Sequence, residues 1–274
     1  MAIKQYKPTS SGIRGMSVVD YSHLTKGKRQ RSLTEILKKH SGRDSRGRVS
    51  IRHQGGGTRR FYRLVELGHT QFFTGKITAI EYDPNRSAFI SLVAAGDRKY
   101  YILATQENKI GDEITYAERA TATPGNRMQL KSIPPGMNIH NVELLPGGGG
   151  RIARSAGSFT QILAKEGDYA TVKMPSGEVR KIHVSAYASI GTVSNPDHKS
   201  VVIGKAGRMR KMGWRPVVRG KAMHPAAHPH GGGEGVNPIG LKQPKTKWGK
   251  PARGVRTRRP KKISGKFIIS RRRK

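Results

Sequence analysis

A histidine- and glycine-rich segment near the C-terminal end holds the densest group of side chains capable of chemistry. In residues 223–235, His228, Pro229 and His230 precede three glycines and Glu234. Pro229 excludes helix, so the two imidazoles lie on one side of an extended segment. They could ligate a metal, but no cysteine and no second pair with structural-zinc spacing accompanies them, so we expect no metal. Glycines let the backbone approach phosphates and sugar hydroxyls. These glycines are Gly231, Gly232 and Gly233.

A second glycine-rich element lies in the N-terminal part of the chain, where cations and aromatic rings alternate. Arginine makes bidentate contacts to phosphate, and a Tyr or Phe ring stacks on a base with about 1–3 kcal/mol. A solvated loop joining a tail to a domain is the alternative, but such a density of cations favours binding to nucleic acid. The predicted binding residues are Arg52, His53, Gly55, Gly56, Gly57, Arg59, Arg60 and Arg63, interleaved with Phe61 and Tyr62.

Further candidates are scattered along the chain. Arg86 follows a turn, and Arg151 and Arg154 follow a run of glycines, so we expect all three on barrel rims, with surface solubility as the alternative. Trp214 and Trp248 lie in basic segments, where stacking on RNA and a local hydrophobic cluster are both open. The remaining predicted binding residues are C-terminal cations, namely Lys205, Arg208, Arg210, Arg215, Arg219 and Lys250.

Positive charge is concentrated in the two flanks of the chain. Among 274 residues, 53 Lys and Arg stand against 17 Asp and Glu, a formal net charge of +36. The net charge is +13 over residues 1–63, +2 over 64–204 and +21 over 205–274. Flanks this charged and this poor in apolar side chains cannot bury a core of their own, so we expect a polyanionic partner to order them.

The middle of the chain has the pattern of short β-strands separated by Gly, Pro, Asn and Asp. Turn residues recur about every 8–12 positions, as in sandwiches and barrels. We therefore predict a mainly β protein with two tandem small barrels, residues 64–133 and 134–204, between irregular basic extensions, residues 1–63 and 205–274. The predicted strands are 75–81, 88–94, 99–104, 138–144, 160–164, 170–174 and 179–184.

Helix is expected to be scarce. Ser32 and Glu35 have the spacing of a capping box, which predicts a two-turn helix over residues 33–39. A second short helix is predicted over residues 206–212, ending at Gly213.

Signatures of common enzyme classes are absent from the sequence. It has no phosphate-binding loop, no serine-hydrolase elbow, no paired-carboxylate motif and no cysteine. No apolar stretch reaches the about 18 residues of a membrane span, so we expect no membrane partner. Without cysteine or an export signal, the cytoplasm is the expected location, with an organellar transit peptide left open.

Ordered motifs along essentially the whole chain resemble the bacterial-type L2 family of large-subunit ribosomal proteins. The motifs are His-Pro-His-Gly-Gly-Gly-Glu-Gly at 228–235, which is the most specific, Tyr-Lys-Pro-Thr-Ser at 6–10, His-Gln-Gly-Gly-Gly at 53–57, Ile-Glu-Tyr-Asp-Pro-Asn-Arg-Ser at 80–87, Gly-Lys-Ala-Gly-Arg at 204–208 and Trp-Gly-Lys-Pro at 248–251. The resemblance implies an OB-like barrel, then an SH3-like barrel, with extensions threaded into ribosomal RNA (rRNA) near the peptidyl transferase centre. It also implies primary rRNA binding, contacts with the small subunit at the intersubunit bridge, and support of tRNA binding.

The resemblance also implies roles for particular residues. Arg86 and Arg154 match basic residues that the family uses to grip rRNA between its barrels, and His228 matches a histidine proposed to assist peptide-bond formation. The family usually has Asp directly before that histidine, whereas this sequence has Ala227, which cannot stabilise an imidazolium. We therefore expect His228, the one catalytic candidate, to position RNA rather than to act as an acid or base.

Together these features predict a structural constituent of the large ribosomal subunit, not an enzyme, that binds 23S-type rRNA and other large-subunit proteins. We expect no cofactor, with Mg²⁺ present only as an rRNA counterion. Two alternatives stay open: a metal- or histidine-dependent catalyst acting on RNA through His228, and a non-specific nucleic-acid chaperone. The first predicts that His228→Ala abolishes activity with normal assembly, and the second predicts no preference between rRNA and random DNA.

Overall fold

The computed structural model describes residues 3–68 and 72–272, which are mainly β-strand and irregular chain. Strands β1–β9 are Ile3–Gln5, Ser17–Val19, Thr34–Ile36, Phe61–Arg63, Phe73–Glu81, Ile90–Ala95, Arg98–Leu103, Glu113–Tyr116 and Arg127–Gln129. Strands β10–β17 are Asn138–His140, Val142–Glu143, Gly150–Ile152, Thr160–Glu166, Tyr169–Lys173, Val179–His183, Tyr187–Ile190 and Ile268–Ser270. The α-helix found in these ranges is α1, Ala206–Lys211, and 3₁₀ turns cover Arg31–Leu33, Pro196–Ser200, Gly220–Ala222 and Ile263–Phe267. None of the helices described is long and apolar enough to cross a membrane.

The chain forms two compact units, each built from segments that are distant in sequence. The sheet unit comprises the described residues up to 38, residues 59–206 and the described residues from 266 onward, and the cationic unit comprises residues 39–58 and 207–265. The sequence predicted four consecutive segments, namely two barrels and two extensions, whereas the two compact units are groups of segments in mutual contact. The two divisions describe different properties, so the four-segment division stays a prediction.

The first half of the main sheet is β5–β8. Strand β5 pairs antiparallel with β6 and β8, and β6 pairs antiparallel with β7. Buried and accessible positions alternate along β5 because successive side chains of a strand point to opposite faces. Gly75 permits close approach of the next strand, since a Cβ there would stand 2.4 Å from the Ala94 carbonyl oxygen. The buried core of this half contains Ile77, Val93, Ile102, Ile114 and Tyr116.

The second half has a separate core. Strands β15, β14, β13, β10 and β16 are antiparallel neighbours in that order, and β16 also pairs with β9. The two halves join where β8 and β9 meet at one parallel pair, Tyr116 and Arg127. The predicted mainly β fold is confirmed, and two cores along one sheet are what two small β-domains in tandem require. The second core includes Met128, Leu130, Ile133, Ile139, Val142, Ile162, Val172, Ile182 and Ile190.

The predicted strands and the second predicted helix match observed elements. All seven predicted strands overlap strands of the sheet unit, although the one over 138–144 is broken at Asn141, whose φ of 49° is left-handed. The helix predicted over 206–212 is α1, and the chain leaves it through Gly213, whose φ is +98°.

The helix predicted over residues 33–39 is wrong. A 3₁₀ turn ends at Leu33, and residues 34–36 form β3, which pairs antiparallel with β4. Ile36 and Leu37, the apolar residues of this segment, are exposed, so they do not pack on a core that could stabilise a helix here. Pairing with β4 therefore outweighs the local capping signal, as tertiary contacts commonly outweigh propensity.

Both predicted extensions contribute strands or buried side chains to the sheet unit, rather than forming a core of their own. Met16, Val19 and Leu24 are buried, and the last two pack with Phe89 and Ala104. At the other end of the chain, β17 pairs antiparallel with β15 and extends the main sheet. Apolar residues dispersed among the cations are thus part of the core of the sheet unit. The net charge over a segment of about 60 residues gives no indication of these individual apolar residues.

Candidate nucleic-acid interface

The two sequence-distant basic elements come together in the cationic unit. Gln54 and Trp214 form an antiparallel bridge, and the Gly55 amide donates to the Gly213 carbonyl oxygen at 3.0 Å. The Thr58 amide donates to the carbonyl oxygen of Lys211, the last residue of α1, at 2.9 Å. The predicted glycine hairpin therefore lies against the end of α1, which brings the hairpin and the C-terminal cations into one surface.

Glycine at 57 is required by a contact within the protein. Its φ is +84°, and a Cβ there would stand 3.0 Å from the Gly213 Cα. The sequence suggested that glycine lets the backbone come close to RNA here. In the structure, the backbone of Gly57 instead comes close to Gly213 of the same chain. A Cβ on Gly56, in contrast, would meet only the Arg210 guanidinium, at 3.4 Å, and Gly55 is near the Arg215 side chain.

Cations surround this hairpin. The Arg210 guanidinium donates to the Trp214 carbonyl oxygen at 3.1 Å, and His53 donates from Nδ1 to the Pro216 carbonyl oxygen at 3.0 Å. The side chains of Arg52, Arg215 and Arg219 are exposed, and Arg208 is half-buried.

The His-Pro-His motif is held by a series of turns. The Ala227 amide donates to the His224 carbonyl oxygen at 2.9 Å, and the His230 amide donates to Nδ1 of His228 at 3.0 Å. His230 in turn accepts at Nε2 from the Lys245 amide at 2.8 Å. The rings of His228 and His230 lie edge to face with centroids 4.7 Å apart. Both imidazoles are therefore oriented by backbone amides rather than by carboxylates.

The surroundings of His228 favour the neutral form of its imidazole. Its partial burial, followed by the charges of His230 and Arg52, lowers its pKa below the ordinary value. Because Nδ1 accepts a hydrogen bond, the proton of the neutral ring is on Nε2, which is left as a donor. The ring packs directly on Gly220, where a Cβ would stand 2.5 Å from Cε1. Among the described residues, no group of three or more His, Cys, Asp or Glu is arranged to hold a metal ion.

The three glycines after the motif form a tight turn. A Cβ on Gly231 would stand 2.4 Å from the His224 carbonyl oxygen. Gly232 and Gly233 have φ values of +90° and +83°, which favour glycine. Beyond the turn, the exposed Trp248 ring has the Lys247 ammonium 4.5 Å from its centroid, while Lys250 accepts a backbone hydrogen bond from Thr246.

Candidate residues of the sheet unit are engaged in contacts within the protein. Arg86 donates to buried Asp83, to the Arg63 carbonyl oxygen and to the Tyr62 hydroxyl, and its guanidinium lies 5.2 Å from the Tyr62 ring centroid. Arg60 donates to the Pro84 carbonyl oxygen at 3.2 Å. These contacts fix the loop that follows β5, so Arg86 has a structural role that the sequence did not reveal.

The other sheet-unit candidates are more accessible. Arg59, Arg151, Arg154 and Lys205 are exposed, and Arg154 also donates to the Gly150 carbonyl oxygen at 3.2 Å. They belong to the sheet unit, whereas the remaining candidates from 52–57 and 208–250 belong to the cationic unit.

A buried ion pair escaped the sequence analysis. Arg127 on β9 donates to Glu143 on β11 at 2.8 Å and to the Asn141 carbonyl oxygen at 2.7 Å. The side chains of Arg127 and Glu143 are 2% and 0% exposed. A Cβ on Gly68 would overlap the Arg127 guanidinium, which explains glycine there. No spacing rule links residues 16 positions apart on two strands, so no sequence signal identified this pair.

The cationic unit differs from an ordinary domain in charge and in burial. Its 79 residues, all described, contain 21 Lys and Arg against 2 acids, a net charge of +19. None of these residues is buried. Hydrogen bonds and glycine turns shape this unit without a hydrophobic core, so its own charges repel without compensation from core packing.

A mainly β unit together with a strongly cationic unit without a core is typical of the class of nucleic-acid-binding proteins. Two family models match the chain: Ribosomal Proteins L2, RNA binding N-terminal domain, over residues 30–116, and Ribosomal Proteins L2, C-terminal domain, over residues 123–249. The chain belongs to the ribosomal protein L2 family, and it is a large-subunit ribosomal protein that binds rRNA. The resemblance predicted from the sequence is thereby confirmed.

Proposed function

We propose that the protein is a primary rRNA-binding protein of the large subunit whose cationic unit is stabilised in a crevice of 23S-type rRNA near the peptidyl transferase centre. The observation that carries this proposal is a net charge of +19 on 79 residues of which none is buried. Such a unit gains stability from a polyanion that neutralises it, because each phosphate contact releases condensed counterions.

The proposed rRNA contacts combine direct and supporting residues. Exposed cations such as Arg52, Arg215 and Arg219 contact phosphates, and Trp214 and Trp248 stack on bases. The glycine hairpin supports the shape of the cationic unit, and Arg86 supports the loop that follows β5 in the sheet unit. Contacts through this unit support subunit assembly, association with the small subunit and tRNA binding in the cytoplasm.

The proposed role of His228 is to donate a hydrogen bond from Nε2 to RNA. Its lowered pKa, its Nδ1 acceptor contact and the presence of Ala227 in place of a carboxylate all favour positioning over acid–base catalysis. We propose no enzymatic activity and no cofactor, with Mg²⁺ serving only as a counterion of the rRNA.

The experiment is a titration of the full chain against large-subunit rRNA, tRNA and duplex DNA at several salt concentrations. We expect rRNA to remain the tightest ligand after extrapolation of log K to high salt. Arg215→Gln and Arg219→Gln should each reduce the slope of log K against log salt by about 0.7–0.9. Lys99→Gln, an exposed cation on β7, is the matched control and should leave the slope unchanged.

Equal affinity for all three polymers at every salt concentration contradicts the proposal and favours a generic chaperone. A preference for rRNA with unchanged slopes in both arginine variants contradicts the assignment of the cationic unit as the contact surface.

A further inference from the structure

Aromatic rings that the sequence suggested as base-stacking platforms are covered. The Phe61 ring has the Arg29 guanidinium 3.7 Å from its centroid, and Arg59 is 5.4 Å away. The Tyr62 ring is flanked by Arg86. These rings are half-buried and engaged with cations of the protein, so a base cannot stack on them without displacing an arginine.

A different pair of aromatic residues in the sheet unit is open to solvent. Tyr21 and Tyr82 are 41% and 49% exposed, and their rings lie edge to face with centroids 5.2 Å apart. Tyr21 also lies edge to face with Phe89, 6.1 Å away, and Phe89 is almost fully buried. One ring of the exposed pair, Tyr21, therefore packs on a residue of the core.

The backbone holds the two rings in place. Asp20 accepts hydrogen bonds from the amide and the hydroxyl of Ser22, which fixes the turn containing Tyr21. The Thr25 amide donates to the Ile80 carbonyl oxygen at 2.9 Å, and the Ile80 amide donates to the Thr25 hydroxyl at 3.1 Å. Ile80 is on β5, and Tyr82 directly follows the end of that strand at Glu81. These bonds therefore hold both rings close to β5, so little conformational entropy is lost on binding.

We propose that Tyr21 and Tyr82 form a platform on which an unstacked base of the large-subunit rRNA stacks, an inference that rests on the rRNA-binding function proposed above. Each ring offers a flat apolar surface with a polar hydroxyl at its edge, which suits a nucleobase. Residues 1–38 contain eight Lys and Arg against two acids, so phosphates next to that base find cations nearby along the chain. The net charge of +6 over residues 1–38 favours RNA over an apolar protein surface, although Asp20, Glu81 and Asp83 are immediate sequence neighbours of the two rings.

Stacking and charge neutralisation have different salt signatures, which makes the proposal testable. Tyr82→Leu removes the ring and should weaken binding of the full chain to large-subunit rRNA about ten-fold at every salt concentration, because stacking releases no counterions. Tyr82→Phe keeps the ring and should retain affinity within two-fold. The slope of log K against log salt should stay unchanged in both variants. Lys28→Gln, a cation of the same segment, should instead lower the slope.

Photocrosslinking of the wild-type chain makes the test independent of any variant. The full chain is irradiated on rRNA containing 4-thiouridine, and the crosslinked peptides are sequenced. We expect a crosslink at Tyr82 or Tyr21. Wild-type affinity in Tyr82→Leu, or crosslinks confined to other segments, overturns the platform while the preference of the wild type for rRNA still supports the proposed function. Loss of that preference in the wild type refutes the proposed function itself.

Discussion

Replacing Arg127 by methionine tests the buried ion pair at the junction of the two β halves. The guanidinium donates to Glu143 and to the Asn141 carbonyl oxygen, and both charged side chains are almost fully excluded from water. Methionine fills a similar length but leaves the Glu143 carboxylate buried without its cation. Breaking a buried pair in this way costs about 3–5 kcal/mol in the free energy of unfolding.

Hydrogen bonds that remain on Glu143 set the expected value within this range. Its other oxygen still accepts from the amides of Gly147 and Tyr187, each at 3.2 Å, which favours the lower end, about 3 kcal/mol. Glu143→Gln in the Arg127→Met background removes the buried charge and should recover about 2 kcal/mol.

Unfolding in urea, followed by circular dichroism, measures these differences without adding ionic strength. Lys99→Met serves as the control, since this lysine is exposed on a strand and its replacement should change stability by at most about 0.5 kcal/mol. A loss below about 1 kcal/mol in Arg127→Met, or no recovery in the double variant, would show that the pair does not stabilise this junction.

Three further outcomes follow from contacts in the structure. Burial lowers the pKa of His140 to about 4, so as the pH falls below 6.5 the imidazole is protonated in the unfolded chain before it is protonated in the folded chain. The free energy of unfolding of the wild type should therefore drop by up to about 3 kcal/mol by pH 4, and that of His140→Gln should drop less. Urea unfolding at each pH measures both. Gly220→Ala should displace the His228 ring and shift its NMR signals, whereas Gly207→Ala, where no atom lies near the added Cβ, should leave them unchanged. Tyr101→Phe removes a hydroxyl that donates to Glu81 and should cost about 1–2 kcal/mol in unfolding free energy, and an unchanged midpoint contradicts that role.

Strand positions were predictable from the sequence because turn residues and alternation are local signals. The strand predicted over 75–81, which is β5, is followed by an Asp-Pro-Asn turn. Its buried side chains, among them Ile77 and Ala79, alternate with more accessible ones. The helix predicted at residues 33–39 failed because β4, about 25 residues away, provides the pairing that decides the conformation there. Local patterns do not contain that information.

Candidate site residues were predictable by type but not by role. The density of cations around Gly55–Gly57 and the glycines after His228 indicated binding to nucleic acid, and the family match agrees with an RNA-binding protein. That Gly57 packs on Gly213, and that Arg86 donates to Tyr62 and to the Arg63 carbonyl oxygen, depends on contacts between distant parts of the chain. The exposed pair Tyr21 and Tyr82 went unnoticed for the same reason.

Pairing of β17 with β15 changes what the basic C-terminal region is in topological terms. Ser270 and Ile268 pair with Val179 and Arg180, about 90 residues earlier. Residues 207–265 are therefore a closed loop with both ends in the sheet unit rather than a free tail. During synthesis, one edge of β15 stays unpaired until residues 268–270 leave the exit tunnel, so this pairing forms only after the whole cationic segment has been translated. Deleting residues 266–274 should open the loop, expose a strand edge and make the isolated protein prone to aggregate.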